Sequence, residues 1–132
     1  MQKPKYIKCN FKTNFLNIFR KIEKNFDNCF LLESLGEYAN NNRYDIIGFD
    51  PDKVIYAKKN YLYINDKKIK TKNPYYKLRQ FIPQDILSNN FAGGLVGYLG
   101  YDSVNYFENS LNLKTHPHFP QFKFGLFLDG LI

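Results

Sequence analysis

Val54-Ile55-Tyr56-Ala57-Lys58-Lys59-Asn60-Tyr61-Leu62-Tyr63-Ile64-Asn65-Asp66-Lys67-Lys68-Ile69-Lys70 alternates aliphatic and aromatic side chains with lysines and is broken twice by short polar pairs. Alternation at period two is the signature of a strand with one face buried and one face in water. The segments Val54 to Lys58 and Tyr61 to Asn65 read as strands. Lys59-Asn60 and Asp66-Lys67 are two-residue breaks suited to hairpin turns. The whole stretch therefore reads as an antiparallel meander, with its Tyr and Ile side chains on one side and its Lys side chains in solvent.

Upstream, Cys29 to Leu35 and Arg43 to Phe49 are further short runs rich in aliphatic and aromatic residues, also read as strands. Before them, Phe15, Leu16, Phe19, Ile22 and Phe26 fall at the spacing of one helical stripe. An amphipathic helix over Thr13 to Phe26 follows, with Thr13 or Asn14 as its cap. Downstream, Asn73-Pro74 opens a short helix through Ile82 that Pro83 closes. Phe91 to Tyr101 carries glycines at 93, 94, 97 and 100 inside an apolar strand. That pattern leaves room for another backbone, a ring or a ligand to approach, and tight sheet packing or a bulge is the competing reading. Phe122 to Ile132 reads as a last strand, apolar to its end, which suggests a chain interrupted rather than finished. The expected fold is α+β: one domain over 1–132, largely antiparallel sheet, with an amphipathic N-terminal helix and short helices packed on it.

Composition narrows the function classes. A chain of 132 residues with 13 Phe and 11 Tyr has too much burial-prone surface for a disordered tail. The apolar glycine run is too short for a spanning helix, and Met1-Gln2-Lys3-Pro4-Lys5 leads into polar residues, so neither secretion nor a membrane is expected and a cytoplasmic location is. The net charge of +7 comes from 16 Lys and only 3 Arg. Phosphate and base readers rely on Arg forks, so the lysines read first as a solvated sheet face. The alternative is a basic nucleic-acid-binding module that uses Lys53 to Lys77 and its tyrosines as stacking platforms. Cys9 and Cys29 read as reduced thiols.

No reaction centre is evident. His116-Pro117-His118 has no Cys or acidic residue at a metal-ligand spacing and reads as a loop, so no metal site is expected. The glycine run lacks the lysine of a phosphate loop, and Ser34 and Ser103 lack the frame of a serine nucleophile. No catalytic residue is assigned. A ligand contact is conceivable at Glu33-Ser34, where a carboxylate and a hydroxyl interrupt the apolar run Phe30-Leu31-Leu32 and could hold an ammonium group. Pairing of Glu33 with Arg43 across neighbouring strands explains the same residues without a ligand.

The order of three elements adds a resemblance. Phe30-Leu31-Leu32-Glu33-Ser34, then Arg43-Tyr44-Asp45-Ile46-Ile47-Gly48-Phe49-Asp50-Pro51, then Gly93-Gly94-Leu95-Val96-Gly97-Tyr98-Leu99-Gly100-Tyr101-Asp102 with Phe107-Glu108, resembles the N-terminal region of anthranilate synthase component I, a chorismate-utilising enzyme. Phe119-Pro120-Gln121 and Phe124-Gly125-Leu126 extend the likeness to the end of the chain. The resemblance implies a lyase of tryptophan biosynthesis that converts chorismate and ammonia, supplied by glutamine amidotransferase component II, into anthranilate and pyruvate. It implies that this region forms much of a feedback site for L-tryptophan, with Glu33 and Ser34 as leading contacts and Arg43 or Tyr44 supplying another. The glycine strand would pack against that site. The chorismate site and its Mg2+ ligands lie in a C-terminal half that nothing here matches, so this chain alone is expected to be inactive and its tryptophan site incomplete. Aminodeoxychorismate (para-aminobenzoate) synthase component I shares the architecture and is the alternative.

Overall fold

The computed structural model describes residues 5–34, 44–82, 92–108 and 110–132. It is an α+β structure whose residues group into two compact units, one drawn from Met1–Pro51, Pro83–Gly93 and Phe127–Ile132, the other from Asp52–Ile82 and Gly94–Leu126. Each is taken by itself.

In the first unit, α1 spans Phe15–Ile22, and Asn14 caps it by accepting from the Asn17 N–H at 2.8 Å. That side chain satisfies one of the backbone donors a helix start leaves without a partner. Phe15, Ile18, Phe19 and Ile22 are partly buried, whereas Leu16 faces solvent. The expected stripe is therefore corrected by the substitution of Ile18 for Leu16. The helix also ends earlier than expected, at Ile22, with Glu23 as its C-cap. Phe26 lies beyond it and instead packs its ring on Phe49, with centroids 5.1 Å apart.

β1 (Cys29–Leu32) pairs antiparallel with β2 (Ile46–Phe49), from Cys29 opposite Phe49 to Leu32 opposite Ile46. β1 is shorter than the expected Cys29 to Leu35 because the chain leaves the ladder at Glu33, and residues 35–43 lie outside the described residues. Gly48 has a packing reason: a β-carbon there would run into the Phe30 ring, which also meets Phe127 edge-on at 4.9 Å. Ile47 is fully buried, and it exchanges two backbone hydrogen bonds with Leu131, at 3.0 and 2.9 Å. Leu131 thus adds an isolated bridge rather than a continuation of the last strand.

The second unit is a five-stranded sheet. β3 (Lys53–Lys58), β4 (Tyr61–Ile64) and β5 (Lys67–Lys70) form the expected meander, and β6 (Gly94–Leu99) and β7 (Phe122–Phe127) extend it in the spatial order β5-β4-β3-β7-β6. Ile55, Ala57, Leu62 and Phe122 are buried on one face, joined by Leu78 and Tyr106. The expectation that Tyr and Ile share a side fails. Tyr56 and Tyr63 stack on the opposite face at 4.5 Å, and the Lys68 ammonium sits 4.0 Å from the Tyr61 ring. Period-two alternation places Ile55 and Tyr56 on opposite faces, so the aliphatic residues take the core and the tyrosines share the outer face with the lysines. The second turn is Asn65-Asp66 rather than Asp66-Lys67, with φ of 44° and 65°, values that Asn and Asp tolerate best after Gly.

α2 (Pro74–Lys77) starts at Asn73, whose side-chain oxygen accepts from the Tyr75 and Tyr76 N–H groups, and continues as a 3-10 turn over Leu78–Phe81. A second 3-10 segment, Tyr101–Tyr106, follows β6 and has no counterpart in the sequence expectation. It delivers Asp102, Ser103 and Tyr106 into the interior.

Candidate functional site

The connecting end of the antiparallel β1–β2 pair, past Leu32 and before Ile46, holds three of the four residues singled out from sequence. Ser34 lies two residues past β1, and its N–H donates to the Asp45 carboxylate at 2.9 Å while its hydroxyl donates to the Tyr44 carbonyl at 3.1 Å. Glu33, Ser34 and Tyr44 are all exposed, Tyr44 to 42%. The polar pair therefore follows the apolar strand rather than interrupting it in a buried position. Arg43 lies outside the described residues, and so does its pairing with Glu33. Among the described residues the one ion pair is Lys53 with Asp52, so no described cation neutralises the Glu33 carboxylate.

This arrangement has definite chemistry. The Ser34 hydrogen is committed to a backbone carbonyl, which leaves the hydroxyl oxygen free to accept from an incoming donor. Glu33, the preceding residue, carries a carboxylate that accepts only, and Tyr44, two residues before β2, carries a half-exposed phenol ring. An ammonium group with an apolar body suits these neighbours. Asp45 was not singled out from the sequence although it fixes the Ser34 backbone. The signal was its place just before β2, where a short carboxylate can cap the facing chain.

The glycine strand does not present a ligand cavity at its middle. A β-carbon on Gly97 would run into the Lys123 carbonyl and lie 2.7 Å from the Phe124 α-carbon, so the space belongs to the β7 backbone. Gly93, at φ 91°, likewise lies against Phe127 and Leu128. Tight packing is what the glycines serve at both positions. His116 is also structural: its Nδ1 accepts from the His118 and Phe119 N–H groups at 3.2 and 3.1 Å, and its own N–H donates to Asp102. Among the described residues no cluster of three His, Cys, Asp or Glu could hold a metal ion. No group among the described residues fits the Mg2+ that the resemblance implies for the longer enzyme. Cys9 and Cys29 are free thiols, and burial followed by the charge of Glu23 raises the Cys29 pKa. No helix among the described residues is long and apolar enough to cross a membrane.

Comparison with known proteins gives a consistent result. The chain is 49% identical over 118 residues to anthranilate synthase component 1 of Leptospira biflexa, covering 89% of this chain and 26% of that protein. It is 36% identical over 136 residues to the protein of the same name from Methanothermobacter marburgensis, covering all of this chain and 29% of that one. The chain thus spans between a quarter and a third of the length of these curated relatives. The crystal structure of anthranilate synthase component I from Streptococcus pneumoniae matches with a TM-score of 0.56 at 22% identity, over 71% of this chain and 22% of that one, a likeness of fold. No family model matches the chain.

Proposed function

From the premise that the chain is homologous to part of anthranilate synthase component I, we propose that it is the N-terminal, tryptophan-binding regulatory portion of that enzyme. The observation that carries this reading is the 49% identity sustained over 89% of the chain. On this reading the complete protein converts chorismate and ammonia into anthranilate and pyruvate, and the ammonia comes from glutamine through amidotransferase component II. Chorismate and Mg2+ belong to a C-terminal half outside this chain, which alone is inactive. The enzyme works in the cytoplasm.

The hairpin end supports the regulatory part of the reading. The Glu33 carboxylate takes the ammonium group of L-tryptophan, and the Ser34 oxygen accepts a second of its hydrogens. The Tyr44 ring offers an apolar wall to the indole, and the Arg43 guanidinium is the group chemically suited to the ligand carboxylate. Tryptophan shifts activity only through a difference in its affinity for two arrangements of this portion and the catalytic half.

The sequence contains no Trp, so added L-tryptophan is the only indole in the sample. Titrating the protein into L-tryptophan should raise its fluorescence anisotropy saturably, D-tryptophan should not respond, and Glu33→Ala should abolish the rise. In the full-length enzyme, Ser34→Phe should relieve feedback inhibition. Retention of inhibition by a folded Ser34→Phe enzyme would sink the site assignment.

A further inference from the structure

A hollow of about 320 Å3 lies at the β3–β4 turn, and all of its lining residues belong to the second unit. Lys58, Lys59, Tyr61, Tyr63, His116 and Phe119 supply its chemistry. No Asp or Glu lines it, and neither lysine has an ion-pair partner among the described residues. The lining is held in place on both sides. Lys59 is anchored by its backbone, whose N–H donates to the Gln121 side chain at 2.7 Å and whose carbonyl accepts from the Tyr106 hydroxyl at 2.8 Å, which leaves its ammonium group uncommitted. Tyr63 stacks on Tyr56, whose hydroxyl is bonded to Asp66 at 3.0 Å. On the loop side, His116 Nδ1 accepts from the His118 and Phe119 N–H groups, so the ring hydrogen rides on Nε2, which has no acceptor among the described residues. The Phe119 ring lies 4.9 Å from the His116 ring and is nonetheless 63% exposed.

We propose that this hollow binds a small ligand carrying both an aromatic ring and a phosphate monoester, the chemistry of a mononucleotide. Two ammonium charges with no carboxylate beside them match a dianion, and the His116 Nε2–H adds a donor for a phosphate oxygen. Tyr61, Tyr63 and Phe119 offer rings against which a base can pack, and the volume stands at the small end of the range of ligand sites. Lysines on a sheet face are ordinarily solvated. Their meeting with fixed aromatic walls in a concave place is what singles this one out. None of the residues proposed to hold tryptophan lines the hollow, so the proposal stands apart from that reading.

Anisotropy of the fluorescent mononucleotide etheno-AMP, titrated with the protein, tests the proposal. A saturable rise is expected, reversed by AMP, with adenosine and inorganic phosphate each competing at least about tenfold less well, since each supplies only half of the contacts. Lys58→Ala and Phe119→Ser, both at exposed positions, should each weaken binding about tenfold without lowering the melting temperature. His116→Asn keeps an oxygen able to accept the two loop N–H groups while removing the Nε2–H, and should weaken binding in a protein that stays folded. Absence of a saturable rise, or unchanged affinity in the three folded variants, would overturn the assignment. Phosphate competing as well as AMP would reduce the hollow to a simple anion site, and affinity for single-stranded oligonucleotides that grows with their length would make it part of a nucleic-acid surface. Displacement of the probe by L-tryptophan would merge it with the tryptophan site. Each of these three results also defeats the proposal, and the last alone bears on the regulatory reading.

Discussion

The Tyr106 hydroxyl lies 2.7 Å from the side-chain oxygen of Gln121, with both residues buried. The same hydroxyl is 2.8 Å from the Lys59 carbonyl, and the Gln121 oxygen also accepts from the Lys59 N–H at 2.7 Å. The Gln121 amide in turn donates to the Asp102 carbonyl at 3.2 Å. This cluster ties the turn between β3 and β4, where Lys59 sits at φ 53°, to the residue that leads into β7. Buried polar groups that are satisfied in this way hold a unique packing, and removing one leaves the others short of a partner.

Burial, and then the negative charge of Asp102, raise the Tyr106 pKa above the ordinary value of 10.0. The unfolded chain titrates near that ordinary value, so the folded state keeps its phenolic proton at a pH where the unfolded state loses it. The contribution to stability is complete below about pH 10 and is lost as the pH rises further. Thermal melts from pH 7 to pH 11 should therefore show Tyr106→Phe less stable at neutral pH by about 1–2 kcal/mol. Its stability should also decline less steeply than that of the unaltered protein above pH 10. Parallel curves for the two proteins would contradict the assignment, since the other tyrosines and the lysines are common to both.

Gly97→Ala should be costly for a reason no propensity scale contains. Its β-carbon would meet backbone, the Lys123 carbonyl and Phe124 α-carbon, and backbone inside a sheet cannot step aside as a side-chain tip can. A loss of about 1–3 kcal/mol is expected from overpacking of this kind. Urea denaturation gives the number, and an unchanged midpoint would show that β6 and β7 can separate to admit a methyl group.

The two thiols should be separable by rate. Cys9 is exposed, whereas Cys29 sits in β1 with its pKa raised by burial and by Glu23. Because the thiolate is the nucleophile, fewer Cys29 molecules are reactive at any pH below its pKa. Iodoacetamide at pH 8 should alkylate Cys9 first, and peptide mass spectrometry after short exposures reads the order. Equal rates would mean that β1 opens as fast as the reagent reacts.

Much of the sheet was legible because β3 and β4 combine strict alternation with polar turn pairs, and both signals are local. The face assigned to the tyrosines was misjudged, because hydrophobicity groups Tyr56 with Ile55 while the pleat separates them. The 3-10 segment Tyr101–Tyr106 was not legible at all. Its buried residues Asp102 and Tyr106 are held by partners 14 to 47 residues away in the chain, Lys59, His116 and Gln121, and no local pattern reports such pairing. At the candidate site, Glu33 and Ser34 stood out as polar residues beside an apolar run. Asp45, which fixes Ser34, did not, because its role exists only once the hairpin has brought the two strands together.

That cap supplies a final prediction, which separates position from contact. Asp45→Ala removes the acceptor of the Ser34 N–H, an exposed hydrogen bond to a charged group, and should lower stability by about 1 kcal/mol. The Ser34 hydroxyl keeps its bond to the Tyr44 carbonyl, so the hairpin end loosens without losing either proposed ligand contact. L-Tryptophan should then bind more weakly than to the unaltered protein and more tightly than to Glu33→Ala, with anisotropy titrations of the three proteins giving the order. Asp45→Asn retains an oxygen acceptor at the same place and should recover most of the affinity. If Asp45→Ala bound tryptophan as well as the unaltered protein does, the orientation of Ser34 would have no part in the site, and Glu33 with its strand would have to position the ligand unaided.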